Sequence, residues 1–330
     1  MAAEGSILRE GLLRLRQRAA LEVEALKARR MRGEVDPWDG DFLRDLTLAY
    51  RGAGDEVGAR ITYPQACTSA RRRKDDGLLL SLVRMTRLFL NPDSAESHLR
   101  WARELAREKG FCGEEARCLN DLGVVALELR NFPLAHERLL ASLGVFGALG
   151  ENEETAVPLM NLACLGFARG DLAEARERLA VARVCAAGNL SRVLAIRLLQ
   201  AILRAVEEKD FLGCLDELQE IAKEAPASDD LETLLALGFA LGRAYLLRGN
   251  PRSALDVALP PPRWGNDDAL AYGALAALSL EAWETMDVAP LPETLEEAEA
   301  LSRTTSLQAW RYRQTWVPRL VLSIDIPVRP

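Results

Sequence analysis

Apolar residues in this chain recur with a helical period. In LNDLGVVALELRNFPLAHERLLAS (119–142), MNLACLGFARGDLAEARERLAVA (160–182) and ALGRAYLLRGNPRSALDVA (240–258), an apolar helix is followed by a Gly/Asn/Asp break and a second helix with small residues at fixed offsets. The small residue in the middle of each second helix acts as a ruler. Its members are Ala59, Ala95, Ala135, Ala175, Cys214, Ala254 and Thr294, at steps of 36, 40, 40, 39, 40 and 40 residues. Four positions on stands an apolar or aromatic residue (Tyr63, Leu99, Leu139, Leu179, Leu218, with Leu255 one turn early, and Ala298), and seven on a small or apolar one (Ala66, Ala102, Ser142, Ala182, Ile221, Leu301). This is the i, i+4, i+7 stripe of an amphipathic helix.

The breaks carry the chemistry of helix ends. Asn91-Pro92, Asn131-Phe132-Pro133, Gly170-Asp171 and Gly249-Asn250-Pro251 combine turn-tolerant residues with N-capping side chains, and Pro loses nothing in a first helical turn. Connections this short force consecutive helices to fold back antiparallel, and each pair leaves an apolar side that only the next pair covers. Pro64 falls inside a second helix and is expected to kink or shorten it. The run Pro260-Pro261-Pro262-Arg263-Trp264-Gly265 is expected to interrupt the array as a rigid loop.

Over roughly residues 40–305 the pattern resembles the tetratricopeptide repeat (TPR) family. Leu122-Gly123, Gly170-Asp171-Leu172, Ala175, Pro226, Gly242 with Tyr245, and Ala254 stand where that family's pattern expects them. The longer step, near 40, is similar to the TPR-like sensor regions of bacterial signal-transduction regulators of the maltose-activator type. The chain lacks a recognisable nucleotide-binding module or C-terminal helix-turn-helix, so the output function of those regulators does not carry over. The expected fold is all-α: a right-handed superhelical solenoid of about seven antiparallel, TPR-like helix pairs over residues 39–309. An amphipathic capping helix in residues 1–38 precedes it, and an irregular tail over residues 310–330, where QTWVPRLVLSIDIPVRP loses the helical period, follows it.

Composition agrees with this reading. Of 330 residues 49% are hydrophobic but only 6% aromatic, a mix suited to close helix packing more than to sheets. A net charge of −7 disfavours wholesale coating of nucleic acid, though it leaves room for a local basic patch. Cys67, Cys112, Cys118, Cys164, Cys185 and Cys214 show no zinc or dithiol spacing and read as reduced core residues. With neither a leader pattern nor an apolar run of about 20 residues, no membrane is expected and the default address is the cytoplasm.

No catalytic constellation emerges, and the expectation is a protein that is not an enzyme and uses no cofactor or metal. His98 and His136 are the only imidazoles, both on second helices. Gly52-Ala53-Gly54 lacks the Lys-Ser/Thr and strand context of a phosphate loop. The pairs Glu114-Glu115 and Glu153-Glu154 read as acids at helix starts or on solvated faces.

Binding chemistry is better represented. In stacked pairs the first helices face the concave side, and there the ruler places Arg84, Arg87, Arg117, Asn120 and Asn161 in the N-terminal half. Phe167, Phe239, Arg243 and Trp283 fall in the C-terminal half. Guanidinium forks suit carboxylate or phosphate, and side-chain amides donate and accept at once. The groove is therefore expected to hold an extended peptide, a peptide terminus or a small anionic ligand, unless the arginines are paired internally. A further anion contact is Arg71-Arg72-Arg73-Lys74, which equally compensates a helix C-terminus. The function expected is a non-catalytic protein- or ligand-binding adaptor or sensor in bacterial regulation. Two alternatives stay open: a structural assembly subunit, or a nucleic-acid-associated regulator using the basic N-terminal segments.

Overall fold

The computed structural model describes residues 2–53, 55–88, 92–208 and 213–225, together with Leu234, Leu237, Gly238, Ala240, Leu241, Ala244 and Tyr245. Among them the chain is all helical: eleven α-helices, one short 3-10 turn and no strand. The helices are α1 (Ala2–Met31), α2 (Gly40–Ala53), α3 (Glu56–Arg73), α4 (Asp76–Arg84), α5 (Pro92–Lys109), α6 (Cys112–Glu128), α7 (Phe132–Leu149), α8 (Asn152–Arg169), α9 (Leu172–Cys185), α10 (Leu190–Glu207) and α11 (Leu215–Glu224). The 3-10 turn Met85–Leu88 follows α4 directly.

Each helix starts and stops where the chain provides for it. Asp55, Asp75, Asn131 and Asp171 accept a hydrogen bond from the backbone N–H three residues on, capping α3, α4, α7 and α9. The chain leaves α3, α5 and α7 through Lys74, Gly110 and Gly150, all left-handed, and leaves α6 and α8 through left-handed Arg130 and Gly170. Lys74, Gly110 and Gly150 are 36 and 40 residues apart, and Arg130 and Gly170 are 40 apart. These are the ruler's own steps, so the backbone repeats in phase with the sequence.

Contacts within a hairpin join early residues of one helix to late residues of the next, which makes the pairs antiparallel. In the α2–α3 pair the Thr62 and Thr47 hydroxyls meet at 2.8 Å, and the Ser69 hydroxyl donates to the Trp38 carbonyl just ahead of α2. In the α6–α7 pair the Ser142 hydroxyl donates to the Ala116 carbonyl at 2.8 Å. Gly123 is the point of closest approach there, since a Cβ on it would stand 2.7 Å from Leu139 Cδ2 and Cγ.

First and second helices are buried differently. α6 is buried without a break from Cys118 to Ala126, whereas α7 buries one stripe, Ala135, Arg138, Leu139, Ser142 and Phe146. The ruler residues Ala59, Ala95, Ala135 and Ala175 are all buried, as are the stripe positions four and seven further on at Leu99, Leu139, Leu179, Ala66, Ala102 and Ala182. Cys214 stands at the N-cap of α11, at the edge of its helix. Ala254, Thr294, the Pro260–Gly265 loop and the tail over 310–330 lie outside the described residues.

The chain divides into two compact units. In Arg14–Leu165 a continuous core joins Val23 and Leu26 of α1 to Phe42, Leu43 and Leu46 of α2, Ala66 and Ala70 of α3, Leu80, Leu82 and Val83 of α4, and Cys118 of α6. Leu139, Leu162 and Leu165 belong to a separate cluster with Ala126 and Ala135 of α6 and α7. α1 thus packs its later turns on α2, with Ala19 against Gly52, while Leu21 and Met31 are exposed. Among the described residues the other unit holds 2–13 and those from Gly166 onward; there α10 packs on α9 and on α11, and Leu194, Leu198, Ile202, Leu215, Leu218 and Ile221 are buried.

Pro64 does not shorten its helix. α3 runs unbroken through it for 18 residues, the length of α5 and α7. Pro64 and Arg60, the residue one turn before it, both lie on the exposed side of α3, where the solvent can satisfy backbone groups that a proline ring leaves out of the helix ladder. α8 likewise carries Pro158 within it.

Candidate binding face on the first helices

The first helices α4, α6 and α8 present a connected set of polar side chains within the Arg14–Leu165 unit. Arg84, at the end of α4, reaches across to α6, where its Nε donates to Asp121 Oδ2 at 2.9 Å and its Nη1 stands 3.6 Å from Glu114 Oε2. Arg117 of α6 donates from Nη1 to the same Glu114 at 2.7 Å, and its Nε stands 3.7 Å from Glu154 Oε2 of α8. Glu114 is therefore shared by two guanidiniums, and the series runs without interruption from α4 to α8. Asp121 is only 7% exposed, while Arg84, Arg117, Glu114 and Glu154 are half-buried.

Burial by itself would lower the proton affinity of Arg84, but Asp121 and then Glu114 more than offset it and leave that affinity above the ordinary value. Both arginines are thus oriented by carboxylates. An incoming anion competes with Glu114 and Glu154 for them.

Beside the ionic series, the Asn161 amide of α8 donates from Nδ2 to Asn120 Oδ1 of α6 at 2.8 Å. Both asparagines are buried, and Asn161 Oδ1 has no hydrogen-bond partner. A buried amide oxygen without a donor is costly, and it marks a point where a further N–H would be accepted.

Four of the expected groove residues, Arg84, Arg117, Asn120 and Asn161, are thus brought onto one run of helices. Arg87 lies in the 3-10 turn, its side chain outside the described residues. Phe167 is half-buried on α8 and belongs to the other compact unit. Phe239, Arg243 and Trp283 lie outside the described residues. What the sequence did not disclose is the carboxylate partners. Glu114, expected at a helix start or on a solvated face, stands in the first turn of α6, where it is half-buried and bridges two arginines. A signal was present: Arg84 and Asp121 are 37 residues apart, as are Arg117 and Glu154, one period less about one helical turn.

The Arg71–Lys74 run occupies the exposed last turn and left-handed cap of α3. Arg73 donates to Asp39 Oδ2 at 2.7 Å and to Asp36 Oδ2 at 3.0 Å. The Arg72 guanidinium stands 5.8 Å from the centroid of the Trp38 ring.

Other chemistry is sparse. His98 is exposed on α5, with Nδ1 2.8 Å from the Ser94 carbonyl, and His136 is half-buried on α7. The six cysteines are free thiols, and burial pushes Cys118 up to about 12 and raises Cys164 as well. Among the described residues no group of three or more His, Cys, Asp or Glu side chains could hold a metal ion, and no helix is long and apolar enough to cross a membrane.

Comparison with known proteins finds no matching family model and no matching curated protein. Among solved structures the chain is similar to the crystal structure of BtubC (BKLC) from P. vanneervenii, at 21% identity over 64% of this chain and 90% of that one, with a TM-score of 0.46. A likeness at that level says nothing of function.

Proposed function

We propose that this protein is a non-catalytic binding module, an adaptor or sensor, built as a TPR-like right-handed solenoid whose first helices line a concave groove for a peptide or small anionic ligand. The observation that carries the reading is the polar series from Arg84 through Glu114, Asp121, Arg117 and Glu154 to the Asn120–Asn161 pair, on three successive first helices at repeat spacing. Polar groups half-buried on inner helices cost stability unless they are matched, and a surface that retains several of them in register is suited to recognition.

The same series suggests how binding is felt elsewhere. Arg84 ties α4 to α6, and Arg117 ties α6 to α8. A ligand carboxylate that takes over Arg117 from Glu154 removes one tie, and a ligand N–H reaching Asn161 Oδ1 adds another. Such a ligand favours one spacing of neighbouring pairs over the other, which is a population shift with an identified switch. A role in bacterial regulation follows from the repeat length and is part of the same proposal.

The test is selection from a displayed random-peptide library against the full chain and against an Arg84→Gln/Arg117→Gln/Asn161→Ala variant, with circular dichroism to verify the fold. The reading expects a peptide consensus with a carboxylate that the variant loses, with affinity falling by about tenfold or more for each charge-assisted contact removed. Identical enrichment on both proteins overturns it.

A further inference from the structure

A second site is built around Trp38, apart from the Arg84–Glu154 series. Trp38 lies in the loop between α1 and α2, and its ring is not buried: the residue is 52% exposed. Large indoles are normally tucked in, yet this one is held in place rather than loose. Its backbone N–H donates to Asp36 Oδ1 at 2.9 Å, and its carbonyl accepts from the Ser69 hydroxyl of α3. Arg73 clasps Asp36 and Asp39 on either side of it, fixing the loop to the last turn of α3.

The clasp also sorts the local charges. Asp36 and Asp39 are taken by Arg73, Asp75 caps α4 through the Leu78 N–H, and Asp76 pairs with Lys109 at 2.6 Å. Arg71, Arg72 and Lys74 are exposed and have no carboxylate partner among the described residues. That contrasts with Arg84, Arg117 and Arg138, each of which is matched. Arg72 extends over the Trp38 ring, 5.8 Å from its centroid, and so adds a guanidinium plane to an indole plane.

We propose that Trp38 and Arg72 form a stacking platform for a single-stranded nucleic acid, with Arg71 and Lys74 meeting its phosphates. A pinned, half-exposed aromatic ring beside an arginine plane offers what an unpaired base requires, a flat polarisable face, and it does so without sequence preference. An acidic peptide would use the cations but gain little from the ring. Because the chain as a whole is negative, attraction is confined to these few cations. The salt dependence is therefore shallow: two neutralised phosphates give a slope of about −1.4 in log K against log salt for a single strand.

The experiment is fluorescence anisotropy of a labelled oligothymidine and a labelled oligouridine of about 15 nucleotides, titrated with the full chain at salt from about 50 to 200 mM. Wild type is expected to bind both. Trp38→Ala weakens binding about tenfold with the salt slope unchanged, while Arg71→Ala/Lys74→Ala lowers the slope by about 1.4. If Trp38→Ala alters the circular dichroism, Trp38→Phe keeps a ring and Arg72→Gln removes its charged neighbour; these then bind nearly normally and weakly, respectively. No binding at the lowest salt overturns the proposal. So does equal binding by the ring-deleted protein, or displacement by polyglutamate as effective as by unlabelled oligonucleotide, which would make the site a general polyanion surface.

Discussion

Arg138 of α7 donates from Nη2 to Glu96 Oε1 of α5 at 2.7 Å, and its second arm, Nη1, donates to the Leu122 carbonyl of α6 at 3.0 Å. One side chain, only 10% exposed, therefore joins three helices of two neighbouring hairpins. Removing it leaves the half-buried Glu96 with the exposed Arg100 as its remaining partner and the Leu122 carbonyl without this donor. Arg138→Ala is expected to lower stability by about 1.5–3 kcal/mol, read from the urea midpoint at constant m-value.

The same pair sets a pH dependence. The hydrogen bond from Arg138, working against burial and helped by Arg100, holds the Glu96 carboxyl below its usual range. A depressed folded pKa means that the stabilisation is complete above the unfolded glutamate value, about 4.3, and is lost as pH falls through the folded one. Unfolding curves in acid are expected to show wild type losing more stability than Glu96→Gln below that value. At neutral pH wild type should be the more stable of the two.

Two glycine-to-alanine changes should act in opposite directions. At Gly123 the added methyl meets Leu139 side-chain carbons at 2.7 Å where α6 and α7 touch, so Gly123→Ala should cost about 1–3 kcal/mol. At Gly144, on the exposed side of α7, an added Cβ meets nothing within 4 Å, and Gly144→Ala should gain about 0.5–1 kcal/mol from helix propensity. Thermal melts of the two single variants check the signs.

Arg130 holds a left-handed backbone, φ 57, at the position where Gly170 ends the next first helix. An L side chain pays about 1 kcal/mol there that glycine does not. Arg130→Gly is expected to raise the melting temperature by a few degrees, and Gly170→Ala to lower it.

Thiol labelling should divide the cysteines by burial. Cys112 is exposed and should react at once in the native protein, whereas Cys118, buried and pushed up to about 12, should react only as fast as the structure opens. Mass spectrometry of a timed alkylation tests this, and early modification of Cys118 would contradict its place in the core.

What could be read from the chain alone was everything repeated and local. Ala95, Ala135 and Ala175 had to be small because two helices meet there, and Asp171 and Asn131 betray helix starts because their side chains cap the adjacent turn. Pairings across neighbouring hairpins were much less accessible. The 37-residue spacing from Arg84 to Asp121 hints at a pairing without choosing it, and nothing marks Arg138 as leaving solvent for Glu96, since both depend on which helix faces which. Pro64 misled for the related reason that the chain does not say on which side of α3 the proline ring will lie.

The left-handed stops at Gly110 and Gly150 have a consequence for how such a chain can change in length. Both are followed by an acid-bearing first helix, and both close a helix of 18 residues. Excising the stretch between them would splice one stop onto the continuation of the other with no change of backbone conformation at the seam. Duplicating it would do the same. Gene-level gain or loss of a whole hairpin is thus compatible with the local geometry, whereas a cut made elsewhere in the period would put a helix interior against a turn.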